Sequence, residues 1–65
     1  MYFIIKVNDR YLAQPRTDNW EAEINSWTID LQEARIGSFG EMNKLARKIT
    51  RPGSILVSKV EIVEP

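Results

Sequence analysis

The chain contains no cysteine and no histidine among its 65 residues, and only three glycines and three prolines. Without cysteine it is no disulfide-stapled secreted scaffold. Without either residue, nucleophilic triads and most general bases are missing, and carboxylates are the only side chains left to hold a metal. No Gly-rich phosphate loop, zinc ligand set or aromatic RNA-binding signature occurs. Long apolar runs are missing too: Met1-Tyr2-Phe3-Ile4-Ile5 stops at Lys6, too short for a signal peptide or a membrane span. There are no repeats and no low-complexity segments. These absences predict a soluble, cytoplasmic, non-enzymatic protein with no cofactor, no metal site and no membrane partner.

Sixty-five residues make one domain, residues 1–65. A chain this short buries only about 60% of the surface its unfolded form exposes, so its stability is small without help. With disulfides excluded, oligomerisation is the aid the sequence still permits.

Nine basic and nine acidic residues cancel overall, but they are segregated. Residues 17–33 carry Asp18, Glu21, Glu23, Asp30 and Glu33 with no basic residue, a local charge of −5. Residues 34–59 carry Arg35, Lys44, Arg47, Lys48, Arg51 and Lys59 against Glu41 alone, a local charge of +5. Zero net charge argues against a general nucleic-acid binder, while the segregation allows a local basic patch.

Tyr2 to Val7 is rich in aromatic and β-branched residues and alternates, with Phe3, Ile5 and Val7 on one face and Tyr2, Ile4 and Lys6 on the other, so it reads as a strand. Asn8-Asp9 is a turn signal, and Arg10 to Gln14 returns as a second strand. A two-residue turn and a three-residue bulged turn give opposite faces to Tyr11 and Leu12, and the sequence is compatible with both. Pro15 ends the strand, and Arg16 to Trp20 is turn-rich. Glu21 to Ile29 alternates in a way that fits a strand better than a helix. Asp30 then caps a single helical turn through Ala34, Arg35 and Ile36 form an extended link, and Gly37 breaks it.

Ser38 with Glu41 three residues later is a capping box, and Met42, Leu45, Ala46 and Ile49 form an apolar stripe behind it. The spacing predicts a helix from Phe39 to about Thr50. Pro52 disfavours helical backbone at Arg51, and Gly53 permits the reversal. Ser54 to Val63 reads as the last strand, with a buried start at Ile55-Leu56-Val57 and a half-exposed end. Because one short helix cannot bury its apolar face alone, it must lie on a sheet. The predicted fold is α+β: a three- or four-stranded antiparallel sheet with one amphipathic helix on one face, in the order β-β-(β)-α-β. Its expected core is Phe3, Ile5, Val7, Leu12, Trp27, Ile36, Met42, Leu45, Ala46, Ile49, Ile55 and Val57.

Two surfaces are candidates for function. Lys44, Arg47, Lys48 and Arg51 fall on one arc of the helix, opposite the apolar stripe, and could contact phosphates. The plainer account is a solvated helix face whose last-turn cations complement the macrodipole, and ordinary helices favour that account. The second is an apolar one. With one helix covering one sheet face, the other face keeps Tyr2, Ile4 and Tyr11, with Val60 beside them, as a surface for a homodimer or a protein partner. Trp27 reads as core, whereas Trp20, beside the turn-rich stretch, fits either core or an exposed interface anchor. Asp30, Glu33 and Glu41 are explained by capping and first-turn electrostatics rather than acid–base chemistry.

Taken in order, Tyr11-Leu12, Trp27-Thr28-Ile29-Asp30, Ala34-Arg35-Ile36, Ser38 and the helix through Ala46 carry a resemblance. The chain resembles small uncharacterised proteins encoded by phages and prophages of Gram-positive bacteria, in which a short hairpin precedes a Trp–Asp–Ala–Ile–Ser run, a helix and a last strand. The shared motifs are structural, and the acidic stretch before Trp27 departs from them. The resemblance implies a phage accessory protein acting on a host component and supplies no functional residues. The expectation is therefore a non-catalytic protein-interaction module with a protein partner or a second copy of itself, the alternative being nucleic-acid binding through the basic helix face.

Overall fold

In the computed structural model, which describes residues 1–14, 26–51 and 55–65, β1 (Ile4–Val7) and β2 (Arg10–Leu12) form an antiparallel hairpin. Lys6 lies opposite Tyr11 and Val7 opposite Arg10, so the turn is the two-residue Asn8-Asp9. Asn8 carries it in left-handed backbone, φ 55°, a conformation Asn tolerates better than most side chains. This register decides the faces. Leu12 joins Ile5 on the helix side, and Tyr11 joins Lys6 on the other.

Among the described residues the sheet has four antiparallel strands in the order β3-β2-β1-β4, with β3 at Trp27–Thr28 and β4 at Val60–Val63. β3 covers only the end of the predicted strand, whose residues 21–25 lie outside the described residues. Asp30 caps the turn Leu31–Glu33, its Oδ1 accepting from the Gln32 N–H at 2.9 Å.

The helix α1 runs from Phe39 to Thr50, as the spacing predicts, and opens on the complete capping box. The Ser38 hydroxyl accepts from the Glu41 N–H at 3.3 Å, and Glu41 Oε1 accepts from the Ser38 N–H at 3.3 Å. Met42, Leu45 and Ile49 bury against Ile5 and Leu12 as one cluster, with Phe3, Trp27, Ala46, Ile55, Val60 and Ile62 packed around it. Each fully buried aliphatic side chain contributes about 1.5–3 kcal/mol relative to leaving it in water. Arg51 keeps helical backbone (φ −58°, ψ −42°), its N–H bonded to the Arg47 carbonyl, although Pro52 follows it.

Residues 33–37 run as a strap between the diverging ends of β1 and β2. The Gln14 N–H donates to the Glu33 carbonyl and the Arg35 N–H to the Leu12 carbonyl (3.1 and 2.8 Å), while Phe3 and Gly37 exchange two bonds of 2.8 and 3.1 Å. Gly37 faces the core so closely that a Cβ there would stand 2.9 Å from the Met42 Cε. Hence Gly37 is glycine for space as well as for ending the link. Arg35 is buried, 3% exposed, and its Nε donates to the Ala13 carbonyl at 3.1 Å. Among the described residues no buried side-chain nitrogen or oxygen lacks a partner.

Four expectations about burial are corrected. Ile36 is 55% exposed rather than core, because it alternates with the inward-facing Gly37. Val57 is 75% exposed, since the run through it makes a 3-10 turn, Val57–Lys59, instead of a strand. The cause is β1: its pairing with β4 reaches Val7 opposite Val60 and then enters the hairpin turn, leaving nothing for residues before Val60 to pair with. Leu56 is exposed for the same reason. Ile4, expected on an open second face, is 1% exposed, and with Ala34 and Arg35 it is buried outside the main cluster.

Two substitutions test this frame by urea unfolding. Ser38→Ala is expected to cost about 1 kcal/mol through loss of the cap. Arg35→Met keeps most of the volume but leaves the Ala13 carbonyl without its side-chain donor, and is expected to cost about 2 kcal/mol. Midpoints unchanged from the parent chain would contradict both assignments.

Candidate interaction surfaces

The cationic arc is built as the helical spacing requires. Lys44, Arg47 and Arg51 are exposed and Lys48 is half-buried, all on the side of α1 away from Met42, Leu45 and Ile49. Thr50 closes the last turn by donating its hydroxyl to the Ala46 and Arg47 carbonyls at 3.1 and 3.2 Å. The four side chains form a convex, water-facing strip. It can meet phosphate or carboxylate groups.

The predicted apolar surface is rearranged. Tyr2 is 64% exposed and Tyr11 half-buried, whereas the burial of Ile4 removes it from any surface. Trp20 lies outside the described residues. In place of Ile4 the fold presents two apolar residues the sequence stripe did not single out as surface. The Phe3–Gly37 bridge brings Tyr2 to the same end of the sheet as Ile36 and Phe39. Phe39 is 54% exposed and meets Phe3 edge-on, with ring centroids 5.4 Å apart and planes at 77°. The sequence held a signal for Phe39: it precedes Met42 by three, so the stripe extends one turn beyond the sheet that covers it.

At the other end of the strap, Ala13, Gln14, Trp27, Thr28, Gln32 and Glu33 border an open cleft of about 700 Å³. Within it the Thr28 hydroxyl accepts from the Asp30 N–H at 3.0 Å and donates to Glu33 Oε2 at 3.3 Å. Glu33 is the one carboxylate among the described residues of this lining, and it is engaged in holding the turn. Among the described residues no three His, Cys, Asp or Glu side chains group to hold a metal, and no helix is long and apolar enough to cross a membrane.

A smaller groove of about 280 Å³ runs between α1 and the outer strand β4, lined among others by Ala46, Arg47, Thr50, Val57, Val60 and Ile62. No protein-family model, curated protein or solved structure matches the chain, so the surfaces stand on their own geometry.

Proposed function

We propose that this chain is a non-catalytic protein-interaction module, of the kind a phage or prophage accessory protein directs at a host protein. The observation that carries the reading is the apolar end formed by Tyr2, Ile36 and Phe39 around the Phe3–Gly37 bridge. Two aromatic rings and a branched aliphatic side chain exposed at one end of the sheet, Tyr2 and Ile36 on the face away from the helix and Phe39 at the helix start, are residue types that anchor protein interfaces. The backbone around Ile36 supports the reading further: Arg35 bonds to Leu12 and Gly37 to Phe3 on either side of it, and the Phe3 ring meets Phe39 edge-on, which limits the freedom lost on binding. The resemblance to phage-encoded proteins supports a bacterial host protein as the partner.

The exposed strip of Lys44, Arg47 and Arg51, with Lys48 beside it, supports a second reading as a nucleic-acid contact. The two readings separate in one experiment. Tagged chain is used to capture proteins from bacterial lysate with and without nuclease. The first reading expects a discrete protein that survives nuclease, whose retention drops by about tenfold for Phe39→Ser or Ile36→Ser. Retention of nothing beyond a blank resin, or retention indifferent to both substitutions, refutes it. The second expects capture that vanishes with nuclease. It also expects an affinity for DNA or RNA whose log–log salt slope falls by about one for each of the four cations replaced by Gln. A salt-independent affinity excludes it.

A further inference from the structure

We infer that β4 is the seam of a two-fold homodimer, in which the edges of two copies pair antiparallel and the two sheets become one. The polar groups of the edge lead to this arrangement. Phe3 turns its N–H and C=O toward Gly37, on the side of β1 away from β4. Alternation along β1 then points the polar groups of Ile4 and Lys6 at β4, where they meet Val63 and Glu61. Val60 and Ile62 therefore turn theirs outward. The Val60 N–H agrees with this, since it bonds to the Val57 carbonyl of the preceding turn and not to β1. Among the described residues the open edge is thus the N–H and C=O of Ile62 and the C=O of Val60.

A second copy completes that set in one register. Pairing centred on Ile62 exchanges two bonds between the Ile62 residues of the two copies. It also sets each Glu64 opposite Val60 across the seam, with the Glu64 N–H against the Val60 C=O; the Glu64 C=O, which faces the engaged Val60 N–H, stays with water. Centring on Glu61 would set the two Glu61 carboxylates directly opposite one another, which is destabilising. Centring on Val60 would require its engaged N–H and would run the edge into the 3-10 turn at Val57–Lys59. The arrangement is isologous, as a two-fold interface must be.

Side chains agree with the backbone. On the helix side, Val60 and Ile62 line the same groove as Arg47. Glu64 shares the face of Val60 and Ile62 by alternation, and the Ile62-centred register sets it opposite Val60 of the other copy, at that groove. Arg47 of each copy therefore receives a carboxylate from the other. On the opposite face Glu61 comes to lie across from Val63 and not from a like charge. The exposed Val57 lines the same groove and gains cover from the seam. This proposal does not depend on the Tyr2–Ile36–Phe39 surface: Phe3 adjoins the Val63 end of β4, but its strap partner Gly37 lies on the side of β1 away from β4.

The test is sedimentation equilibrium of the whole chain up to high-micromolar concentration, with Phe39→Ser as a control for the other surface. The expected result is a monomer–dimer equilibrium that Phe39→Ser leaves unchanged. Arg47→Glu and Glu64→Arg should each weaken it by about tenfold or more, and the double exchange should recover most of the loss. Hydrogen exchange at the Ile62 amide should slow as concentration rises. A chain that stays monomeric overturns the proposal. So does a dimer indifferent to both charge reversals, or one in which the Ile62 amide exchanges at the same rate at every concentration. Loss of partner capture by Phe39→Ser, with self-association intact, would leave the two surfaces separately established.

Discussion

The placement of the helix depends on the strap at residues 33–37. A β-hairpin whose strands diverge leaves backbone groups unpaired at its open end, and buried unpaired groups are costly. Here the strap takes up those groups, bonding Leu12 and Gln14 on one side and Phe3 on the other. Arg35 fixes its middle by reaching the Ala13 carbonyl from a buried position. A guanidinium suits this place because its planar fork supplies several donors and stays charged wherever it sits. The strap then delivers Ser38 to the point where α1 must begin, and the capping box starts the helix there. Gly37 brings the strap close enough for Met42 to pack beneath it.

The same constraint explains the economy of the sheet. β1 offers four paired residues, Ile4–Val7, between the strap and the hairpin turn. On one side β2 pairs with Lys6 and Val7, and on the other β4 pairs with all four, so β4 has the same length as β1 and does not start earlier than Val60. The apolar run before it, which would suit a buried strand, is turned outward by lack of a partner and not by its own preference. β-propensity describes fit to a half-buried pleated surface, and no surface is available at residues 56 and 57.

The elements whose causes are local were legible in the sequence. α1 is bounded by a side-chain cap and carries a clear stripe, and its limits follow residue by residue. The Asp30 turn is likewise a short-range hydrogen bond. What was hidden depends on distant residues. Arg35 looks like one more cation in a basic stretch, and only the divergence of β1 and β2 makes it a buried clamp. Ile36 looks like core until Gly37 is seen to hold the inward position. Tyr11 and Leu12 exchange faces with a single residue of turn length, which Asn8 decides by adopting left-handed backbone. Of the candidate surfaces, the basic arc was legible because it is helical periodicity. The apolar end was not, because it is assembled by the Phe3–Gly37 bridge across 34 positions of sequence.

The exposed apolar residues bear on function because folding does not ask for them. A domain of 65 residues has a total stability of only about 3–10 kcal/mol. Any large apolar side chain left in water contributes little to that total, and a polar residue at 36, 39, 56 or 57 would leave the described core cluster as it is. Single exposed hydrophobic residues are ordinary, as Ile29 and Leu31 are around the Asp30 turn, but Ile36 and Phe39 lie together at the strap end and Leu56 and Val57 directly precede β4. The two groups also differ in kind. Rigid aromatic rings on a braced edge suit a partner of different shape, whereas a strand edge with its own complementary donors and acceptors suits a copy of itself. A chain too small to bury much alone can in this way complete its sheet by self-association and keep its aromatic end free for another protein.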